Sequence, residues 1–132
     1  MPPRIVDPNK QPQGELEVRT IAMPADANPD GDIFGGWVLS QMDSAGASYA
    51  LRYTKGRAVT VAIDQMSFMA PVAVGELLAC YADLYKLGNT SIQIKIEAWS
   101  MSRVTLEHRQ VTEGIFTFVA VDEHGRPRPI PK

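Results

Sequence analysis

The chain has 132 residues, 45% of them hydrophobic and 21% charged, and its formal net charge is −2. This length and balance are typical of one soluble globular domain, exclude a disordered chain and disfavour a nucleic acid as the main partner. No apolar run approaches the roughly 20 residues that span a bilayer, and the single cysteine, Cys80, excludes an intrachain disulfide and favours the cytoplasm.

The N-terminal quarter of the chain predicts an arm, a strand and a loop. Residues 1–13 contain four prolines and are predicted as a flexible arm. From Glu15 to Met23 apolar and charged side chains alternate, which predicts a half-solvated strand that Pro24 closes. The following stretch, up to Asp32, is dense in turn formers and is predicted as a loop.

A long helix is predicted from Gly35 to about Tyr53, because this stretch of about 19 residues contains no proline and is apolar on every side. Such all-round apolarity is typical of a buried helix rather than a surface helix. The middle of the helix consists of small residues, and Gly46 there lowers helix stability by roughly 0.5–1 kcal/mol relative to alanine. We therefore expect the helix to approach another backbone surface closely at this point.

The rest of the chain predicts four strands. The first begins near Arg57, and its apolar residues change parity near Asp64 and Gln65, which predicts a bulge or sharp coil there. The others are predicted at 77–87, 91–97 and 111–121, with a tight turn at Gly88-Asn89. One helix and about five mostly antiparallel strands predict an α+β layer in which the sheet curls around the helix. This single domain is expected to span residues 14–125, with residues 126–132 as an extended, proline-rich tail over the surface.

Several kinds of catalytic site are disfavoured by missing motifs. His108 and His124 lie outside any metal-ligand pattern, and the chain has no Cys-x-x-Cys, no His-Glu-x-x-His, no P-loop and no Gly-x-Ser-x-Gly. We therefore expect no metal and no cofactor, so carboxylates and backbone N–H groups remain as the tools of any catalysis.

Asp43 is the single charged side chain of the predicted helix between Gly35 and Leu51. A carboxylate is almost never fully buried without partners. Asp43 is therefore either a satisfied structural carboxylate or a general base or nucleophile held in a dry pocket.

The glycines that open the helix form the second candidate feature, in the stretch Gly31-Asp32-Ile33-Phe34-Gly35-Gly36-Trp37. Free N–H groups at a helix start favour developing negative charge, so they suit an oxyanion hole for acyl transfer. The simpler alternative is a tight turn that needs glycine, with Asp32 as an N-terminal cap.

The spacing of these two features predicts a dimer. Gly36 and Asp43 are seven residues apart, or roughly 10 Å along a helix, whereas a reacting carbonyl must lie ~3 Å from both of its partners. Two antiparallel helices related by a two-fold axis could bring the N-terminus of one helix to Asp43 of the other. Any such chemistry therefore predicts a homodimer with paired sites.

Several sequence stretches also carry a family resemblance. They are Arg19-Thr20-Ile21-Ala22-Met23-Pro24-Ala25-Asp26, Asn28, Gly31-Asp32-Ile33-Phe34-Gly35-Gly36-Trp37, Ser40-Gln41-Met42-Asp43, Pro71-Val72-Ala73-Val74-Gly75 and Phe116-Thr117-Phe118-Val119-Ala120-Val121-Asp122. On these residues the chain resembles the hotdog-fold acyl-CoA thioesterases, most closely the YciA type, over nearly its whole length from Gly14.

The resemblance implies a sheet wrapped around a central helix, dimers that often assemble into hexamers, and hydrolysis of acyl-CoA to a free acid and CoA. Asp43 matches the catalytic helix carboxylate, and Gly35 and Gly36 match the segment that polarises the thioester carbonyl. Asp32 matches a position beside the site of the partner subunit. Whether Asp43 activates a water molecule or attacks the thioester directly stays open.

Substrate contacts are assigned more broadly. Asn28 and Phe34 belong to the matching loop and are expected at the substrate, and Phe68 is a candidate for the acyl channel or for ordinary core. Cations at strand ends and in the tail could hold the CoA phosphates, although each could equally be a solvated surface charge; they are Arg57, Lys86, Arg126 and Arg128.

Two other functions remain as alternatives. The first is a non-catalytic acyl-CoA-binding domain that acts as a sensor. The second is a hotdog dehydratase, which would need a histidine near the helix, whereas His108 and His124 are far from it in sequence.

Overall fold

The computed structural model describes residues 10–131. It contains one long helix, a short 3-10 turn at Pro24–Asp26 and five strands. In chain order the main elements are β1 (Glu15–Ile21), α1 (Gly35–Thr54), β2 (Ala58–Phe68), β3 (Leu77–Leu87), β4 (Ser91–Met101) and β5 (His108–Ala120).

The five strands form one antiparallel sheet in the order β1-β3-β4-β5-β2. The helix α1 contacts every strand, so the sheet curls around it. The predicted α+β architecture is confirmed. Because β1 and β2 have a neighbour on one side only, they are the two edges of the sheet.

The core lies between α1 and the concave face of the sheet. On β4 the predicted alternation is confirmed, since Ile92, Ile94 and Ile96 are fully buried. Phe116 and Phe118 of β5 complete this layer.

The close approach predicted at Gly46 is also confirmed. A Cβ atom at this position would lie 2.6 Å from Ile96 Cδ1 and 2.7 Å from Phe118 Cε1. The missing side chain therefore sets how deeply the helix sits on the sheet.

The prediction that α1 is buried on every side is wrong for the single chain. One face, which includes Val38 and Met42, packs in the core, but Leu51 and Tyr53 are exposed. The sheet covers the helix from one side only, so the other apolar face is left open to solvent.

Strand β2 contains the predicted irregularity. Its register against β5 shifts between Asp64 and Ser67, and Gln65 adopts a left-handed backbone with φ of 57°. A bulge of this kind bends the strand and increases its twist. This bend lets β2 follow the helix.

Strand β5 begins three residues before the predicted Val111, at His108. Two of its three added residues, Arg109 and Gln110, are polar but buried. Polar side chains can be buried when they have hydrogen-bond partners elsewhere in the chain. A buried strand that contains them lacks the apolar pattern by which such a strand is predicted.

The two ends of the chain add little regular structure to the fold. The first nine residues of the predicted arm and Lys132 lie outside the described residues, and the domain boundaries stay a prediction. In the tail, Pro127 bridges to Val121, and Ile130 is buried in the core. Among the described residues, no helix is long and apolar enough to cross a membrane.

Candidate functional site

A cavity of about 390 Å³ opens at the N-terminus of α1. The loop before the helix, the end of β2 and the segment at 70–72 form its walls. It brings together five residues predicted for the site, namely Asn28, Asp32, Phe34, Gly35 and Phe68.

Asn28 shapes the loop on one side of this cavity. Its Oδ1 accepts hydrogen bonds from the backbone N–H groups of Asp30 at 2.9 Å and Asp32 at 3.1 Å. The side chain therefore mimics a backbone turn, a common role of asparagine in loops. This turn lies directly before the segment that enters α1.

The start of α1 is not capped by a side chain. Phe34 occupies the N-cap position, so the alternative in which Asp32 caps the helix is wrong. Gly35 and Gly36 are exposed, and beyond the chain neighbours and the nearby helix backbone no described atom lies within 4 Å of the place where a Cβ of Gly36 would stand. Uncapped N–H groups at this end attract negative charge, and here a ligand could approach them closely.

Asp43 projects from α1 and is partly exposed in the single chain. Its Oδ1 accepts a hydrogen bond of 2.6 Å from Thr60 Oγ1 on β2. Nothing in the sequence identifies Thr60 as a partner of Asp43, because only the packing of α1 against β2 brings the two residues together. The hydroxyl fixes one carboxylate oxygen and thereby orients the other.

Asp43 does not line the cavity. It lies seven residues after Gly36 in the helix, which is roughly 10 Å along the axis. A single chain therefore separates the carboxylate from the uncapped helix start, as the spacing predicts.

The four predicted CoA-binding cations do not line this cavity. Lys86 borders a separate depression of about 200 Å³ near the turn between β3 and β4, and Arg57 and Arg126 are exposed. The guanidinium of Arg128 donates to the backbone oxygens of Val121 at 2.9 Å and of Thr54 at 3.1 Å. Arg128 therefore ties the tail to the end of α1, and a CoA contact of any of the four stays a prediction.

The remaining reactive side chains do not join the site. Cys80 is fully buried, and burial raises the pKa of its thiol to about 12, so it is not a nucleophile near neutral pH. His108 packs against Trp99 with ring centroids 4.9 Å apart, and His124 is exposed. Within residues 10–131 no three His, Cys, Asp or Glu side chains are grouped to hold a metal ion.

Known proteins share both the sequence and the fold. The family model of the thioesterase superfamily matches residues 30–107. The acyl-CoA thioester hydrolase YciA of Salmonella typhimurium is 52% identical over 124 residues, covering 91% of this chain and 92% of that protein. The YciA protein of Escherichia coli is 49% identical, with coverages of 91% and 93%.

Solved structures agree with these relatives. A hexameric thioesterase from Yersinia pestis superposes with a TM-score of 0.89 at 50% identity, covering 92% of this chain and all of that one. A hexameric broad specificity acyl-coenzyme A thioesterase, crystallised as an aspartate-to-alanine mutant, has a TM-score of 0.88 at 48% identity, with coverages of 91% and 88%. The chain therefore belongs to the thioesterase superfamily, and within it to the hotdog-fold acyl-CoA thioester hydrolases of the YciA type.

Proposed function

We propose that the chain hydrolyses acyl-CoA at a site shared between two copies, with Asp43 from one copy and the helix start of the other. In this proposal the backbone N–H groups of Gly35 and Gly36 bind the thioester oxygen. Asp32 and Gly35 line the same cavity, whereas Gly36 is not one of its lining residues. Family membership supports the reaction, and the arrangement along β2 supports the shared site.

The observation that carries the shared site is the position of Asp43 relative to the cavity. Asp43 is bound to Thr60 in the first half of β2, whereas Phe68, the last residue of β2, lines the cavity. Phe68 lies eight positions after Thr60, so the bulged strand separates them by less than the roughly 26 Å that a regular strand would span at 3.3 Å per residue. The two halves of the site therefore lie at opposite ends of one strand.

Strand β2 is suited to pair with a second copy of itself. It is an edge strand of 11 residues, and Val61 on it is 56% exposed. Long, exposed, apolar edge strands readily take another strand. An antiparallel pair centred on Asp64 would set Thr60 of one copy opposite the partner's Phe68. This pairing would carry Asp43 toward the partner's cavity.

The chemistry follows from this placement. The thioester oxygen accepts hydrogen bonds from the helix start, which stabilise the negative charge that develops on it. Asp43 then either removes a proton from an attacking water molecule or attacks the carbonyl carbon to form a mixed anhydride. The C–S bond breaks and CoA leaves as the thiolate. In the first route the water oxygen becomes the second carboxylate oxygen of the acid, and in the second route water hydrolyses the anhydride at either the acyl carbon or the Asp43 carbonyl.

The cavity also indicates where the acyl chain would lie. Its walls include Ile33, Val38, Val72 and Val111, with Phe68 at the end of β2. These side chains suit an apolar acyl group, while Asn28 and Phe34 lie at the loop side. We assign the CoA phosphates to the exposed cations outside the cavity, and we propose no cofactor beyond the CoA of the substrate.

The proposal extends to assembly and location. Both solved relatives described above are hexameric, and a trimer of two-fold pairs would satisfy the shared site. We propose the same assembly for this chain, in the cytoplasm.

Replacement of Asp43 tests the function. Release of CoA thiol from acyl-CoA should be abolished in Asp43→Ala and Asp43→Asn, while Asp83→Asn, an exposed strand aspartate outside the site, should hydrolyse at the wild-type rate. An active Asp43→Ala protein would refute the proposal. Tight acyl-CoA binding without turnover by the wild type would instead support a non-catalytic binding domain.

A single turnover in heavy-oxygen water separates the two chemical routes. Label that enters the Asp43 carboxylate indicates the anhydride, because water that hydrolyses an anhydride at the Asp43 carbonyl leaves its oxygen there. Label confined to the released acid argues against hydrolysis at the Asp43 carbonyl and is the result expected of water activation.

A further inference from the structure

A buried ion pair lies behind the cavity. Glu76 is 7% and Arg109 6% exposed, and Arg109 Nη2 donates to Glu76 Oε1 at 2.6 Å and to Oε2 at 2.7 Å. Ser100 Oγ also donates to Oε1, at 3.0 Å. Burial raises the pKa of Glu76, but the hydrogen bonds and charge of Arg109 and the backbone of Ala73 outweigh it, so the pKa lies below its ordinary value of 4.5.

Stability alone does not account for this pair. Removing two charges from water is costly, and well-packed apolar side chains of similar volume often stabilise a fold as much or more. In addition, Arg109 Nε is buried without a hydrogen-bond partner among the described residues. A costly and incompletely satisfied pair suggests a role in holding something else in place.

The carboxylate of Glu76 holds a turn. Glu76 Oε1 accepts a hydrogen bond of 2.8 Å from the backbone N–H of Ala73, and the backbone N–H of Glu76 donates to the Ala73 oxygen at 3.1 Å. Gly75 within the turn has φ of +90°, which few other residues adopt easily. The turn is therefore closed by the backbone and by the Glu76 side chain together.

This turn is joined to the loop that enters α1. The Ile33 N–H donates to the Val72 oxygen at 3.0 Å, and Asp32 pairs with Ala73 as a β-bridge. Ile33, Asp32 and Val72 all line the cavity. A continuous chain of hydrogen bonds thus leads from β4 and β5, through Glu76, to the cavity wall and the approach to Gly35.

We propose that Glu76 is a positioning residue for the hydrolysis, in that its side-chain oxygen holds the turn at Ala73 and, through it, the uncapped start of α1. The change in kcat expected below rests on the proposed function, because it requires that the chain hydrolyses acyl-CoA. Displacements of about 1 Å at a reacting centre can cost on the order of 100-fold in rate, so a loosened turn should reduce kcat.

Two matched double variants test the proposal. Glu76→Gln/Arg109→Met removes both charges but keeps an amide oxygen for the Ala73 N–H. Glu76→Leu/Arg109→Met removes the charges and that acceptor together. The Gln variant should keep kcat within about threefold of wild type, while the Leu variant should lose about tenfold or more when both are assayed in the folded state. Equal kcat values in two folded variants would overturn the proposal.

Hydrogen exchange gives a readout that does not depend on activity. In the Leu variant, amides at 70–76 and at 31–35 should both exchange faster than in the Gln variant. Faster exchange at 70–76 alone would show that the turn does not hold the helix start, and would refute the proposal. If the Leu variant does not fold, Ser100→Ala serves instead: both segments must then exchange faster together, or the proposal fails. A wild type without acyl-CoA hydrolysis would refute the proposed function and leave this exchange result standing.

Discussion

Mixing two inactive variants should restore activity if the site is shared between copies. Asp43→Ala removes the carboxylate, and Gly36→Phe covers the helix start. Apart from the chain neighbours of Gly36 and the nearby backbone of its own helix, no described atom lies within 4 Å of a Cβ built at Gly36. The new side chain is therefore expected to fit the fold and to cover the helix start. Each variant alone should be inactive.

The expected recovery follows from the geometry. Within one chain the two features are roughly 10 Å apart along α1, whereas the chemistry needs both within ~3 Å of one carbonyl. A mixed pair therefore combines the intact Asp43 of the Gly36→Phe copy with the intact helix start of the other copy. Random association makes half of the pairs mixed, with one working site of two, so activity should return to about one quarter of wild type.

The assay is release of CoA thiol after the two variants are unfolded and refolded together. Pairs purified through two different affinity tags should have about half of the wild-type activity. An equal mixture of Asp43→Ala and Asp43→Asn is the control and should stay inactive. If the two complementary variants form mixed pairs but regain no activity, the shared site is refuted.

Four further outcomes are expected. Thr60→Val should lower kcat about tenfold or more with little change in KM, and Thr60→Ser should retain activity, because a hydrogen bond to a charged group is worth about 1.5–3 kcal/mol. Gly46→Ala should lower the free energy of unfolding by about 1–3 kcal/mol in urea, since its methyl would overlap both Ile96 and the buried ring of Phe118. Cys80 should react with thiol reagents only after unfolding, because burial raises its pKa to about 12. The pKa of Glu76 is lower in the folded protein than its ordinary value of 4.5, so ionised Glu76 stabilises the fold fully above pH 4.5. This stabilisation is lost as the pH falls through the folded-state pKa. The urea midpoint of the wild type should therefore fall more steeply in acid than that of Glu76→Gln/Arg109→Met.

The sheet could be predicted because its strands carry their own signals. The alternation of Ile92, Ile94 and Ile96 placed β4, and the parity change near Gln65 indicated the bulge in β2. In each case the pattern depends on neighbours in sequence. Gly46 was informative for a similar reason, since glycine within a helix lowers its stability unless close packing requires it.

The exposed face of α1 and the start of β5 could not be predicted in this way. Leu51 and Tyr53 are apolar, and composition does not distinguish a side chain packed in the chain's own core from one left exposed. The start of β5 includes Arg109, whose buried charge is satisfied by Glu76, 33 residues away in the sequence. Pairs of residues so far apart produce no periodic pattern in the sequence.

The residues of the candidate site also differ in whether neighbours in sequence or long-range contacts place them. The residues around the glycine-rich helix start are close in sequence, and the cavity gathers Asn28, Asp32 and Phe34. Thr60 was missed because its contact with Asp43 joins two elements 17 residues apart. The catalytic and binding roles of these residues stay predictions until the variants are measured.

The two edges of the sheet differ in a way that would limit growth of the assembly. On β1, Glu15 and Glu17 are ion-paired with Arg52, and the strand is short, with an irregular register between Leu16 and Val18. Charges and bulges of this kind discourage further strand pairing. If two copies join through β2, both outer ends of the ten-stranded sheet are β1, so the association closes on itself and does not propagate as a fibre.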